Sequence, residues 1–593
     1  MLRRIKEEKR KRYTADFETA VLTQAQIDAG AHTYVWAWAL CECVNPDNVE
    51  FGTEITTFFA KIFSLDNWSV VYFHNEKFDG SFILNYLLKN GYKQWTGKLD
   101  DMPDKHFKCL TTGMGIFYSI TIRNGKQYIE ITDSLKKLPF TVAKIAKDLK
   151  LPIQKGTIKY EDWRKEGGEL SPEDKLYIQY DVQIVAIALQ KMYFDNGLYG
   201  MTIGADCMKY YKNITSQFKY YFPTLDPKED QFARFAYRGG YCYLNPKYKN
   251  LIINQVGCVY DKNSMYPSQM ASASLSDKCK NNRYPVGKGV YYQGEYIQDH
   301  TYPLYIQHIR CAFKIKPGYV PTVQLKNNLL FDQNEYIEDT NGEIQDLYLT
   351  SVDLEIFLKH YKPYLYDEGD GCIDYVDGYK YQCVIGLFDK YIKYWYNKKE
   401  EATKSGNKFL RQLAKLFLNN LYGKFSTNPN SSYLVFDIGD KGQLIRNSKE
   451  DTKDTIYIPV GAFITAYARQ DLLHAIQCNY DRFIYADTDS IHLIGDAPAK
   501  GIPIDSVKLG YWDRETDWTQ AKFLRQKTYT ECTQDGWQFK CAGLPKPNEA
   551  LTIEQFYPGS VIKNAKLMSK QVPGGIVLVP TDFEIKKERQ KKI

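Results

Sequence analysis

The chain has 593 residues, too many for one hydrophobic core, so several domains are expected. Its 44% hydrophobic and 25% charged residues are those of a globular protein; no apolar run reaches membrane-spanning length and no signal peptide is visible, which argues against a membrane protein. The 13 cysteines are scattered, odd in number and lack a zinc-type CxxC pair, which points to reduced thiols in a cytosolic compartment.

A net charge of +7 makes only a weak case for nucleic acid, but local patterning says more. Aromatics reach 15%, with 49 tyrosines, and they interleave with lysine along Lys390-Tyr391-Ile392-Lys393-Tyr394-Trp395-Tyr396-Asn397-Lys398-Lys399. Cations beside stacking rings suit phosphates and exposed bases. An amphipathic helix with tyrosines partly in the core is the competing explanation. The basic runs Arg3 to Arg12 and Lys586 to Lys592 read as disordered tails.

From the N-terminus, the pattern predicts a strand at Tyr13 to Phe17, another at Val70 to Phe73, a helix over Ser81 to Lys89 and a strand-rich stretch from Gly115 to Ile131. Ser171-Pro172-Glu173-Asp174 is a helix start, with Ser as cap and Pro at the first helical position, and that helix runs to about Met192. Alternating strands and helices make an α/β unit. Asp16 and Glu18 lie two apart on the first strand, so both project from one face. Asp79 sits at the exit of the second strand, and Asp181 sits in the capped helix one turn after Tyr177. Singly, each is more often a surface acid. As a set they can converge on two metal ions, with Tyr177 orienting a water that attacks a phosphodiester.

Further along, the apolar run Val256 to Tyr260 ends in Asp261, followed by Asn263-Ser264-Met265-Tyr266-Pro267. Residues 273 to 386 are rich in tyrosine, glycine and proline and read as an irregular β-containing insertion. Helical character returns over 388 to 424. At about 100° per residue, Arg411, Lys415, Asn419 and Tyr422 share one narrow stripe, while Leu410, Leu413, Phe417 and Leu421 fill much of the opposite side. Gly423 supplies a C-terminal stop. Two cations, an amide and a phenol fit a nucleoside triphosphate; a solvated polar face explains the stripe equally well.

Arg482 to Leu493 is an apolar, hairpin-like stretch holding Asp487-Thr488-Asp489. Carboxylates this close repel each other and lose hydration among strand-forming residues. An isolated Asp-Thr-Asp is more often turn chemistry, but Asp261 adds a third acid in a similar apolar setting. Hard oxygen ligands suit magnesium. Two metals held by acids from distant segments clamp the attacking and leaving oxygens in nucleotidyl transfer.

Together these motifs resemble those of family B DNA polymerases. Asp261 to Pro267 is similar to motif A (DxxSLYP), Lys415 to Gly423 to motif B (KxxxNSxYG), and Tyr485 to Asp489 to motif C (YxDTD). Lys527-Thr528-Tyr529 resembles the KxY motif, and Thr465 to Arg469 the Tx2AR motif. Upstream, Asp16-x-Glu18, Asn75-x3-Asp79 and Tyr177-x3-Asp181 resemble the three proofreading exonuclease motifs in order, and Tyr237-Arg238-Gly239-Gly240 the YxGG element joining the two halves. Ser134-Leu135-Lys136-Lys137-Leu138-Pro139-Phe140, Leu524 to Tyr529 and Val572-Pro573-Gly574-Gly575 narrow the resemblance to the small protein-primed polymerases of Bacillus phages, the phi-29 type.

The resemblance implies an α/β and α+β multidomain fold, with an N-terminal ribonuclease H-like 3′-5′ exonuclease domain at 1–201 and a right-hand polymerase. Within the latter, palm falls at 202–272 and 453–541, fingers at 387–424, and thumb with basic tail at 542–593. An insertion at 273–386 would engage a terminal protein, and one at 425–452 would encircle DNA, giving strand displacement and processivity. Asp261 and Asp489 are implied as direct metal ligands with Asp487 beside them, while Arg411, Lys415 and Asn419 take the incoming nucleotide. Tyr266 and Tyr422 flank its sugar, Tyr266 excluding a 2′-hydroxyl. Asp16, Glu18, Asp79 and Asp181 bind the exonuclease metals with Tyr177 assisting, and Asn75, Phe78, Ser134 and Leu135 hold the frayed strand. Tyr237, Gly239, Gly240, Thr465, Arg469, Lys527 and Tyr529 contact DNA, Lys527 at the primer terminus.

Two Mg2+ ions per site are implied, with Mn2+ as substitute. The implied partners are primer-template and single-stranded DNA, dNTPs and a priming terminal protein, with no membrane, for a monomer in the cytoplasm of an infected bacterial host. Asn420 replaces the usual motif B serine, Met265 the usual leucine, and the stretch from Lys527 to Cys541 looks shorter than in relatives. Rival readings are a pure exonuclease with a DNA-binding C-terminal half, a non-catalytic replication scaffold, and a family B enzyme of a linear plasmid.

Overall fold

A computed structural model describes residues 6–113, 115–157, 164–324, 336–364, 373–544 and 551–586. The outer ends of both basic runs and parts of the 273–386 stretch lie outside the described residues.

The N-terminal strand spans Arg12–Thr19 and is buried along almost its whole length, as befits an interior strand, the third from one edge of an eight-stranded sheet. It runs antiparallel to Val35–Glu42 and parallel to Ser69–Phe73, which is itself parallel to Gln127–Asp133. The strand-rich stretch resolves into two antiparallel strands, Phe117–Asn124 and Gln127–Asp133, turned at Gly125 with φ +62. Helix Pro172–Met192 begins where its local signals put it. The Asp174 N–H donates to Ser171 Oγ at 3.0 Å, and the Ser171 N–H donates back to the Asp174 carboxylate at 3.4 Å, a reciprocal cap. Thr14 of the N-terminal strand donates to the Val182 carbonyl at 2.8 Å and fixes the helix on the sheet.

The helix expected from Ser81 starts earlier, at Glu76, and ends at Lys89 as expected. Asn75 takes the left-handed conformation at φ 80 and donates its N–H to the Asp133 carboxylate at 3.1 Å. Asn is among the few residues that tolerate this conformation. The chain therefore turns from strand to helix within a few residues, and Asp79 lies on the first helical turn instead of at a strand exit.

In the C-terminal half, a five-stranded sheet has the order Trp512–Trp518, Gly257–Lys262, Ser490–Ile494, Phe483–Asp487, Cys242–Leu244. Helix Ile458–Cys478 is buried along most of its length. Helices Asp389–Lys404 and Lys408–Phe425 are connected in sequence and pack together. Tyr391 and Trp395 enter the core while Lys393 and Tyr394 stay exposed, so the lysine-tyrosine stretch is in good part an amphipathic helix.

Gly423 does not stop the second of these helices, which continues to Phe425. Phe425 is buried against Tyr211, Phe222 and Phe388, and this packing carries the helix past the glycine. The described part of 273–386 contains the sheet Arg283–Gln293, Asp374–Ile385, Leu304–Cys311, Gln345–Thr350. Two long hairpins follow, Asn430–Ile438 with Leu444–Thr452 and Val561–Val572 with Gly575–Glu584. The whole is a mixed α/β multidomain architecture, and no described helix is long and apolar enough to cross a membrane.

Candidate active sites

On the N-terminal sheet, Asp16 and Glu18 meet Asp181 so closely that oxygens of all three lie within 4.8 Å of one another. Burial, then the Asp181 charge, pushes the Asp16 carboxyl up to about 7. Burial, then Asp16, likewise raises Asp79. Burial also raises Asp181, against the pull of Lys155, whose ammonium donates to it. One carboxylate oxygen on Asp79 and one on Asp181 are buried without a hydrogen-bond partner. Crowded acids with orphaned oxygens fit a divalent cation.

A cleft of about 590 Å3 opens here, lined by Asp16, Asn75, Leu135, Lys155 and Asp181 among others. Tyr177 stands beside it, with the Lys155 ammonium 5.4 Å from its ring centre. Asn75 is exposed, whereas Phe78 and Leu135 are half-buried. Ser134 departs from expectation: it is fully buried, donates to the Phe73 carbonyl at 3.0 Å and meets His74 Nδ1 at 2.9 Å. It shapes the cleft from beneath instead of facing a strand. Nothing local in the sequence distinguishes Lys155 from the chain's other lysines.

The second cluster lies on the five-stranded sheet. Phe483–Asp487 and Ser490–Ile494 form a hairpin with Asp487 opposite Ser490, and Thr488 turns it at φ 64. Asp261 is also a cross-strand partner of Ser490. The Lys262 N–H donates to the Asp489 carbonyl at 2.8 Å, so Asp261 and Asp489 are brought together. Burial, then the Asp489 charge, pushes Asp261 up to about 7. Burial, then Asp487, pushes Asp489 up to about 6.

Asp487 is answered from inside the chain: Lys527 Nζ donates to its two oxygens at 2.6 and 2.9 Å. Asp261 and Asp489 form no ion pair among the described residues, and the Lys415 charge only partly offsets their burial and mutual repulsion, which fits a metal. Glu515, on Trp512–Trp518, adds negative charge to both. No motif marks it; pairing of its strand with Gly257–Lys262 brings it there.

Arg411, Lys415, Asn419 and Tyr422 share the open side of Lys408–Phe425, and Leu413, Phe417 and Leu421 are buried on the other. The Tyr422 ring stacks on Tyr266 at 4.0 Å. Lys399, a third cation and the last residue of the lysine-tyrosine stretch, is held below the ordinary lysine range by burial and then by Arg411 and Lys415. Gly240 packs against this pocket so tightly that a Cβ would lie 2.9 Å from Thr488 and 3.0 Å from the Tyr266 hydroxyl. Tyr237 is half-buried and Gly239 exposed. Tyr529 is half-buried, with its ring against Tyr485 and Phe523 at 5.2 and 5.3 Å.

Thr465 and Arg469 do not face an open groove. The Thr465 hydroxyl is buried and donates back to the Gly461 and Ala462 carbonyls. Arg469 is 6% exposed, pairs with Asp353 at 2.8 Å and donates to the Arg238 and Gly239 carbonyls at 2.7 and 2.8 Å. Its guanidinium therefore holds the YxGG segment instead of reaching for a strand.

A family model described as DNA polymerase type B, organellar and viral, matches residues 65–175 and 164–500. The DNA polymerase of Bacillus phage phi29 is 40% identical, with 97% of this chain and 99% of the relative covered. That of Streptococcus phage Cp-1 is 33% identical over 97% and 98%. Solved phi29 polymerase with primer-template DNA and incoming nucleotide superposes with a TM-score of 0.87 at 39% identity, covering 97% of this chain and 100% of that one; its complex with single-stranded DNA gives 0.84 at the same identity and coverage. Sequence likeness and shared architecture over nearly the full length make this chain a member of the type B viral DNA polymerases, of the phi29 kind.

Proposed function

We propose that the chain replicates a linear genome by protein-primed initiation, with nucleotidyl transfer at Asp261 and Asp489 and 3′-5′ proofreading at Asp16, Glu18, Asp79 and Asp181. The observation that carries this reading is the buried pair Asp261 and Asp489, both raised in pKa and in no ion pair among the described residues, beside the stacked Tyr266 and Tyr422. Primer-template DNA, incoming nucleotide and single-stranded DNA in the phi29 polymerase structures are consistent with the substrates proposed here.

Divalent ions, Mg2+ or Mn2+, held in pairs by each set of acids, supply charge neutralisation for the attacking and leaving oxygens. The chain's own residues do the rest. Arg411, Lys415 and Lys399 neutralise the triphosphate and Asn419 adds an amide contact. Tyr266 and Tyr422 flank the sugar, with Tyr266 excluding a 2′-hydroxyl. Lys527, held by Asp487, reaches the primer terminus. At the second site Lys155 anchors Asp181, Tyr177 orients the attacking water, and Asn75, Phe78 and Leu135 line the path of the frayed strand.

The proposed division is exonuclease at 1–201, palm at 202–272 and 453–541, a terminal-protein region at 273–386, fingers at 387–424, an insertion at 425–452 that encircles DNA, and thumb with basic tail at 542–593. The enzyme is proposed to work as a monomer in the host cytoplasm. Asp489→Ala should lower dNTP incorporation by at least about a thousandfold while leaving degradation of single-stranded DNA within twofold. Loss of both activities in a folded variant overturns the assignment of two separate sites. Incubation with labelled dATP, Mg2+ and a candidate terminal protein should yield a covalent nucleotide adduct; normal primer extension without that adduct rejects protein priming alone.

A further inference from the structure

Lys262 follows Asp261 on the same strand, so its side chain leaves the opposite face. There it is 4% exposed, close to the Trp512 ring at 5.6 Å, and its ammonium donates to the Asp471 carboxylate. Asp471 belongs to helix Ile458–Cys478 and is largely covered. Its carboxylate also accepts from Gln269 Nε2 at 3.1 Å and lies 3.7 Å from Lys280. Gln269 rides on the short helix Met265–Met270, the element that carries Tyr266. Asp471 thus gathers the strand bearing Asp261 and the helix bearing Tyr266 onto one buried carboxylate. At its other end, the Lys262 backbone is tied to Asp489.

We propose that Lys262 and Asp471 are positioning residues for nucleotide addition: their buried ion pair fixes Asp261 against Asp489 and, through Gln269, fixes Tyr266 over the same pocket. A buried pair of this kind contributes little net stability, because desolvation offsets attraction. What it supplies is one arrangement of the strand and helix, and loss of one partner leaves a charge that has to move to reach water. Loss of a residue that orients metal ligands without touching the metal typically costs about 10- to 100-fold in metal affinity or activity. The inference rests on the assignment of Asp261 and Asp489 as the metal-binding acids of the polymerase site.

The test reads metal binding as well as turnover. In a Glu18→Ala, Asp181→Ala background that removes the other site, Mn2+ binding is titrated by electron paramagnetic resonance for Lys262 and for Lys262→Met and Lys262→Arg. The Met variant should bind Mn2+ about tenfold more weakly, with kcat for dNTP addition falling by a similar factor. The Arg variant, which keeps the charge, should recover most of both. Placed singly in the otherwise native chain, Lys262→Met should degrade single-stranded DNA within twofold of the parent. Equal behaviour of the Met and Arg variants, or unchanged Mn2+ affinity in the Met variant, overturns the proposal. If Lys262→Met does not fold, Asp471→Asn decides by the same two measurements. Failure of the polymerase assignment itself is distinguishable, because the parent would then show no Mn2+ site sensitive to Asp489→Ala.

Discussion

Asp261 and Asp489, with carboxyls pushed up to about 7 and about 6, hold protons below those values that a cation has to displace. A raised carboxyl is charged only above its shifted value, so metal affinity is greatest above pH 7 and falls as pH drops through 7 and then 6. Each displaced proton costs about tenfold in apparent affinity per pH unit below its pKa. The Mg2+ concentration for half-maximal primer extension should therefore rise steeply between pH 8 and pH 6, and added Mg2+ should move the acid limb of activity to lower pH. An acid limb that ignores Mg2+ would mean that these carboxyls do not carry it. Glu76 raises a different question, of stability. It is fully buried with neither carboxylate oxygen hydrogen-bonded, and burial, then Asp133 and Asp79, hold its carboxyl well above the usual range. The folded protein keeps this proton while the unfolded chain releases it. Stability is thus fully present below the unfolded value near 4.5 and drains away by about 1.4 kcal/mol per pH unit above it, until the folded carboxyl ionises. Glu76→Leu should raise the thermal midpoint at pH 8 by more than at pH 5; a constant gap in melting scans run in EDTA would refute the buried neutral acid.

At the scale of elements, Gln94 acts as a substitute strand for the hairpin at 430–452. Its amide donates to the Leu434 carbonyl at 2.9 Å and accepts from the Phe436 N–H at 2.8 Å, while Phe436 stacks on Phe117. Gln94→Ala orphans both backbone groups at a cost of about 1–3 kcal/mol each, enough to loosen the hairpin without unfolding the sheet. Extension on a primed single strand should stay within twofold, and extension through a downstream duplex should fall several-fold; equal losses in both assays would show that the hairpin has no special part in opening the duplex. Such elements also show what was legible in the sequence. Helix Pro172–Met192 and the Asp487-Thr488-Asp489 turn were readable because the cap, the proline and the apolar flanks are local. Gly423 was misread as a stop because the rings that bury Phe425 come from residues 211, 222 and 388. Lys155 and Glu515 carry no local signal for the same reason: what sets them apart is convergence between distant segments. The inward turn of Ser134, Thr465 and Arg469 was invisible because a motif says which residues recur, not which way they face.

Across the whole molecule, the two hairpins and the N-terminal sheet close on one another. Asn85 donates to the Gly442 carbonyl at 3.3 Å at the tip of one hairpin, and the Thr33 N–H donates to the Pro573 carbonyl at 3.0 Å at the tip of the other. A Cβ on Gly442 would sit 3.8 Å from Pro573, so the two tips are close neighbours. Ile576 joins Phe82 in the core beneath. The contacts between tips are small compared with the interiors of the domains, so the closure is the first part of the molecule expected to open. Gly574 is the sensitive point. It adopts φ +90, and a Cβ there would run into the Thr33 carbonyl; Ala at this position adds both backbone strain and a clash, about 1–3 kcal/mol. If the closure retains DNA, Gly574→Ala should incorporate a single nucleotide at the parental rate yet make products several-fold shorter when a heparin trap limits each enzyme to one encounter. A parental product length under that trap would mean that DNA is held by the palm and fingers alone, and the neighbouring tips would then be a matter of packing.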